Sequence, residues 1–493
     1  MRNFFVAAAC LSSVFASADD GTFSRSHFTT FYDQFFCEEK DALSSVNLTT
    51  PCSFNPNPYN PVPPPNPPAP PFKTELLPVI LVNDSGLPDD QVFVVMTAKD
   101  QATQTQGFIQ IDASSGVGTL VTANPGDNAL NYSLSLSQLP STSTGHVFYV
   151  PLEIGGAVWF SMNNKLNMPV NAPHDIVQPN FLSPGDPNYN TNFDIFEITY
   201  TSLTTPNVAA DATAVSFFSI PLYGYISTPS SVNSNTGLFQ KRSYVLAQAA
   251  ATFVANANSP ELGQWNNLFL RNGGNILRLV SPGKGISYAA SPYFDINYLD
   301  NPSSYTYSYI NDIWTGLTSF YRNNPLKLTI PNGSLETYTG VVNANNTITL
   351  TSSPSGYEVV FSAPTTSTPT TTFDIFSGIT LVQSDTSPNA ADGVQLFKLF
   401  EEAIIAGLVP TADTLSNPYL TSNQSNYYTV NPNLSSRGQS SGPWYDLYSK
   451  ALHKLGYIYT FAFDEPLWPQ VQIFSNTLIE NSTYIGITIG AVD

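Results

Sequence analysis

The stretch FDIFEITYTSLTTPNVAADATAVSFFSIPL, residues 193–222, decides how this chain is read. Its aromatic and β-branched residues predict two strands of a half-buried sheet, over 193–200 and 214–222. The polar connection between them holds Pro206, Asn207 and Asp211 and reads as a loop. Side chains alternate along a strand, so Glu197 shares a face with Phe193, Ile195 and Thr199, while Asp194, Phe196, Ile198 and Tyr200 look the other way. A carboxylate in an apolar strand needs solvent, a cation or a chemical task, because burying its charge unpaired is costly.

The same strand pattern extends outward. From Glu75 the segments LLPVILVNDSG, QVFVVMTAKD and QGFIQIDASSG alternate with turn residues at short intervals, which predicts an all-β sandwich or barrel. Beyond Leu222 the period changes. Residues 242–257 have helical spacing, with Tyr244, Ala247, Ala251 and Val254 on one stripe. A second helix is expected from about Ala391, with Val394, Phe397, Phe400, Ile404 and Leu408 on its apolar face. A third is expected over 443–456, opened by Pro443 and closed by Gly456. Strands such as LKLTIP, TITLTS and YEVVFSA lie between them. The fold class is therefore mainly β with an α/β part.

Composition bounds the partners. The 493 residues carry 36 acidic against 17 basic side chains, a net charge of −19. That field repels phosphate backbones and anionic lipid, so nucleic acid and membrane surfaces are disfavoured and neutral polymers remain. The N-terminus has Arg2, an apolar run and Ala16-Ser17-Ala18, which predicts a signal peptide over 1–18 and a secreted product. Cys37 and Cys52 then remain in an oxidising compartment, where one local disulfide is expected. No cysteine or histidine spacing suggests a metal or other cofactor. A leader module over 19–53 and a proline-rich spacer over 54–73 precede the β domain, placed at 74–235. A mixed domain is expected over 236–460, with 461–493 returning to the β domain as strands. The chain is expected to be a monomer.

The central stretch resembles the catalytic segment of glycoside hydrolase family 64, β-1,3-glucanases related in fold to thaumatin-like proteins. That family has a D-x-x-E strand continued by an aromatic residue and Thr, then a loop, then V-D and a segment ending in Pro. Here these are Asp194-Ile-Phe-Glu197-Ile-Thr199 and Val215-Ser216-Phe217-Phe218-Ser219-Ile220-Pro221. Trp159-Phe160-Ser161, Val177-Gln178-Pro179 and Asp186-Pro187-Asn188-Tyr189-Asn190 match further family signatures in order. So do Trp265-Asn266-Asn267-Leu268, Phe373-Asp374-Ile375-Phe376 (a strand in the family) and the segment ending in Asp464 and Glu465. The resemblance covers roughly residues 75–493.

It implies a wide groove between a β domain and a mixed domain, β-1,3-glucan as partner, and an inverting hydrolysis with Glu197 as general acid. It further implies substrate contacts at Asp194, Thr199, Asp464 and Glu465. The family's second catalytic carboxylate falls on Ser216. A hydroxyl does not take a proton from water at neutral pH without its own base. Asp211 could supply the carboxylate from the loop; Asp464 and Glu465 could approach from the far end of the chain. Alternatively the protein has lost hydrolysis and binds glucan as a wall component. Reduction of the Cys37 and Cys52 pair is expected to leave the melting of the 75–493 unit unchanged. A large loss of stability in Cys37→Ser would show instead that the leader packs on the main body.

Overall fold

A computed structural model describes residues 76–492 except 144, 202–207, 229–230, 258, 288–292, 296–297, 300–313, 315–319, 330–335, 363–370, 379–380, 389–391, 408–413, 417–427, 429–444, 463, 465–471 and 476–482. The expected disulfide of Cys37 and Cys52 lies outside these residues, as does Glu465.

The first half is built of strands. In chain order these are β1 (Leu77–Asn83), β2 (Val92–Lys99), β3 (Gln106–Ile111), β4 (Gly118–Thr122), β5 (Leu134–Ser135), β6 (His146–Val150) and β7 (Glu153–Met162). Then follow β8 (Val170–Asn171), β9 (Asp175–Ile176), β10 (Phe193–Tyr200), β11 (Val208–Thr213), β12 (Phe217–Phe218), β13 (Leu222–Thr228) and β14 (Ser231–Gly237). Helices α1 (Arg242–Asn256) and α2 (Ser259–Asn267) lead to β15 (Phe269–Asn272), β16 (Asn275–Val280) and α3 (Pro282–Ser287). The later part holds α4 (Phe320–Asn323), β17 (Leu326–Thr329), β18 (Thr337–Val342), β19 (Ile348–Ser353), β20 (Glu358–Phe361) and α5 (Thr371–Ser377). It ends with β21 (Val382–Asp385), α6 (Asp392–Ile405), β22 (Thr414–Ser416), α7 (Leu447–His453), β23 (Gln472–Ser475) and β24 (Tyr484–Ile489).

Two sheets carry the β half. One runs β14-β13-β24-β1-β6; the other runs β23-β11-β10-β7-β2-β3-β4, with β5 beside β2. They are separate open ladders, so no barrel closes among the described residues. Strand β24 lies between β1 and β13, parallel to the first and antiparallel to the second. Its Ile485, Ile487 and Ile489 are buried with Val79 and Leu81 of its own sheet and Val94, Met96, Phe160, Phe196 and Ile198 of the other. Each such side chain contributes roughly 1.5–3 kcal/mol of burial. Gly224 of β13 makes that contact possible. A Cβ there would stand 2.3 Å from the Phe196 ring, so only glycine lets β10 approach the facing sheet this closely.

Several expectations are corrected. Residues 214–222, expected as one strand, are instead a bend after β11, the two-residue β12, a second bend and the first residue of β13. Asp211 accordingly sits in a strand, not in a loop. The apolar stripe of α1 is turned by about one residue: Val245, Leu246, Ala249, Ala250 and Phe253 are buried, whereas of the expected stripe Val254 is buried but Tyr244, Ala247 and Ala251 are only half-buried. Phe373-Asp374-Ile375-Phe376 is helical, within α5. The last expected helix is shorter, and Asp446 caps it by accepting from Tyr448 N at 2.9 Å. No helix among the described residues is long and apolar enough to cross a membrane.

The strand beside the site strand begins with an acid in an apolar setting. Glu153, fully buried in β7, accepts from Tyr200 N at 3.0 Å, and burial pushes its carboxyl up to about 8 from the ordinary 4.5. Between those values it is protonated in the folded chain and ionised in the unfolded one. The folded state then binds more protons, and stability falls as pH rises through this window. Glu153→Gln removes the titration. Denaturant midpoints of wild type should therefore drop relative to Glu153→Gln between about pH 4.5 and about pH 8. Parallel pH profiles for the two proteins would contradict this.

Candidate active site

Strand β10 is held on both sides, by β7 and by β11, each antiparallel. Its Phe196, Ile198 and Tyr200 face the common core. On the other face stand Phe193, Ile195, Glu197 and Thr199. The register places Glu197 directly opposite Asp211 of β11 and opposite Ala157 of β7. Directly opposed residues point to the same side, with Cβ atoms about 4.5–5.5 Å apart. The methyl group of Ala157 leaves the flank of Glu197 open. In β11 the apolar Val208, Ala210 and Ala212 enter the core, which turns Asp211 toward Glu197.

The two acids differ in setting. Glu197 is exposed, whereas Asp211 is buried at 2%. Although the residue meets solvent, the protein packed around its carboxyl disfavours the charged form and raises the pKa of Glu197 above the ordinary 4.5.

An aromatic floor lies toward the start of β10. Trp159 donates from Nε1 to Thr97 Oγ1 at 3.1 Å and lies 6.2 Å from the Phe193 ring. Phe193 meets Phe217 edge-on at 5.1 Å, and Phe217 meets Phe181 at 4.4 Å. The fully buried guanidinium of Arg278 sits 4.9 Å from the Phe193 centroid and 5.4 Å from that of Phe217. It donates to the carbonyls of Tyr189 and Thr191. These contacts rest on the Asp186-Pro187-Asn188-Tyr189-Asn190 segment and on β16, so the matched motifs converge here.

The other expected site residues are distributed differently. Thr199 lies on the Glu197 face and accepts from Gly155 N at 3.3 Å. Ser216 lies in the bend after β11, half-buried, and its carbonyl accepts from Ser281 N at 3.0 Å. The last rung of the ladder is Ile195 with Thr213, so Ser216 falls three residues beyond it and off the pair. Asp194 is buried on the opposite side. Its Oδ2 accepts from Ser219 N and Ile220 N at 2.8 and 2.9 Å, and burial pushes the carboxyl up to about 7. It braces the backbone of the turn at Ser219 and Ile220. Asp464 is likewise fully buried, taking His453 Nε2 at 2.9 Å, Thr460 N at 2.7 Å and Thr460 Oγ1 at 2.8 Å. Sequence reasoning missed Arg242 and Arg278, which lie buried around the Ser219 turn. A cation within the apolar run Asn275–Val280 was the available signal for the second. Among the described residues no group of three or more His, Cys, Asp or Glu could hold a metal ion.

The β-1,3-glucanase profile of glycoside hydrolase family 64 matches residues 75–478. The chain belongs to this family. Its fold is similar to that of a laminaripentaose-producing β-1,3-glucanase solved with laminaritetraose, with a TM-score of 0.63, 18% identity, and coverage of 85% of this chain and 99% of that one. A β-1,3-glucanase domain from Clostridium beijerinckii gives 0.60 at 18% identity, covering 85% and 100%. A laminaripentaose-producing β-1,3-glucanase from Paenibacillus barengoltzii, solved with laminarihexaose, gives 0.51 at 14% identity, covering 86% and 76%. At these identities the likeness is one of fold. No curated protein matches the chain by sequence.

Proposed function

We propose that the protein is a secreted, monomeric, endo-acting hydrolase of linear β-1,3-glucan, with Glu197 as general acid and Asp211 as the second carboxylate. The observation that carries this reading is the rung that sets Glu197 directly opposite Asp211 on one face of β10 and β11. Family membership supports the substrate and the reaction class. The glucan is taken to lie in a thaumatin-like groove between the β half and the mixed region.

Glycoside hydrolysis uses a protonated acid at the leaving oxygen and a second carboxylate across the bond. A raised pKa keeps a proton on Glu197 where an ordinary carboxyl would have lost it. Asp211 remains against the sheet, while the longer Glu197 side chain reaches solvent. An inverting enzyme keeps its two carboxyls roughly 6.5–9.5 Å apart to seat its water. That water would be activated by Asp211 and attack the anomeric carbon from the face opposite the departing oxygen. The proton from Glu197 would go to that oxygen.

Ser216 favours a second reading, a glucan-binding protein without turnover. The two are separated by Glu197→Gln. In a hydrolase this amide keeps the shape but cannot donate the proton, so release of oligosaccharides from linear β-1,3-glucan should fall roughly 10²–10⁴-fold with binding preserved. Binding without release in the wild type would establish the second reading. Neither binding nor release would remove both.

A further inference from the structure

We infer that Asp194 is a positioning residue for the hydrolysis proposed above, clamping the turn at Ser219 and Ile220 onto the strand that carries Glu197. The inference rests on that reading for its kinetic part only.

Asp194 stands three residues before Glu197 in β10, on the opposite face. Its carboxyl gathers three backbone donors: Ser219 N at 2.8 Å and Ile220 N at 2.9 Å on Oδ2, and Ile195 N at 3.0 Å on Oδ1. Ser219 is gripped from its other side as well. Its carbonyl accepts from Arg242 Nε at 2.8 Å, and its Oγ donates to Leu277 O at 3.1 Å. Arg242 Nη2 reaches Ile276 O and Leu277 O at 2.6 and 2.9 Å. Strand β10, the turn, the start of α1 and strand β16 are thus tied together at a single residue. The tie is buried throughout, with Asp194, Ser219 and Arg242 at 3%, 0% and 7% exposure.

The turn is also the return path of the chain from Asp211. It carries Phe217, whose ring packs on Phe193 at the start of the Glu197 face. Releasing the clamp lets β10 and this path shift against each other. A displacement of about 1 Å in a catalytic arrangement can cost about 10²-fold in rate. A carboxylate suits the post because it accepts from all three donors, whereas an amide offers one acceptor oxygen.

The test uses the full chain with Asp194→Ala and Asp194→Asn, assayed below the melting midpoints of all variants. On linear β-1,3-glucan, kcat should fall about 10²-fold in the alanine variant with KM held. The asparagine variant should recover much of the loss. Independently of turnover, a ¹³C NMR titration of Glu197 should show its raised pKa returning toward the ordinary carboxyl range in the alanine variant, as the site loosens and hydrates. If that variant does not fold, the asparagine variant carries both measurements, with smaller shifts in the same directions. An unchanged kcat, a raised KM with kcat intact, or an unaltered Glu197 titration in a folded variant would overturn the inference. A wild type that cleaves no glucan defeats the hydrolase reading, and the Glu197 titration then decides the clamp alone.

Discussion

The pairing register of β10 with β11 is the constraint on which the candidate site depends. Slipping it by one residue would carry Asp211 to the core side and bring Ala210 or Ala212 out opposite Glu197. The register is fixed by what lies behind it. Phe196 and Ile198 are committed to the core, the first of them seated over Gly224 of the facing sheet. Val208, Ala210 and Ala212 fill the matching positions on β11. The hydrophobic effect, acting on one face, therefore places two acids on the other.

The two acids of the candidate site differ in their surroundings. The chain has few cations; Arg242 is engaged with the Ser219 carbonyl and Arg278 with those of Tyr189 and Thr191. Glu197 points away from the core and meets solvent, and protein packed around its carboxyl raises its pKa above the ordinary value. Asp211 lies buried against the sheet. Buried acids elsewhere serve the scaffold: Glu153 holds the Tyr200 amide, and Asp464 holds His453 and Thr460. An acidic composition thus supports both framework and chemistry.

Much of the β architecture was legible, because alternation over segments such as Phe193–Tyr200 and Val92–Lys99 reports a sheet with one face buried. Helices α1 and α6 were legible from their period. The strand Val208–Thr213 was not, because three of its six residues are alanine, a weak strand former, and tertiary pairing overrides that preference. With it went the setting of Asp211. Glu197 was visible as an acid in an aromatic strand. The work of Asp194 and Asp464 was hidden, since their partners are backbone N–H groups and a histidine remote from any motif spacing. The helical state of Thr371–Ser377 was hidden for a related reason: seven residues with two phenylalanines and an isoleucine fit either period.

The central claim is that the second carboxylate of this family member resides at Asp211, opposite Glu197, and not at position 216. Comparing Asp211→Asn with Ser216→Ala in oligosaccharide release from linear β-1,3-glucan tests it most directly. The pairing across β10 and β11 predicts a loss of about 10²-fold or more for the first and a near wild-type rate for the second. Full activity in Asp211→Asn, or a comparable collapse in Ser216→Ala, would contradict it.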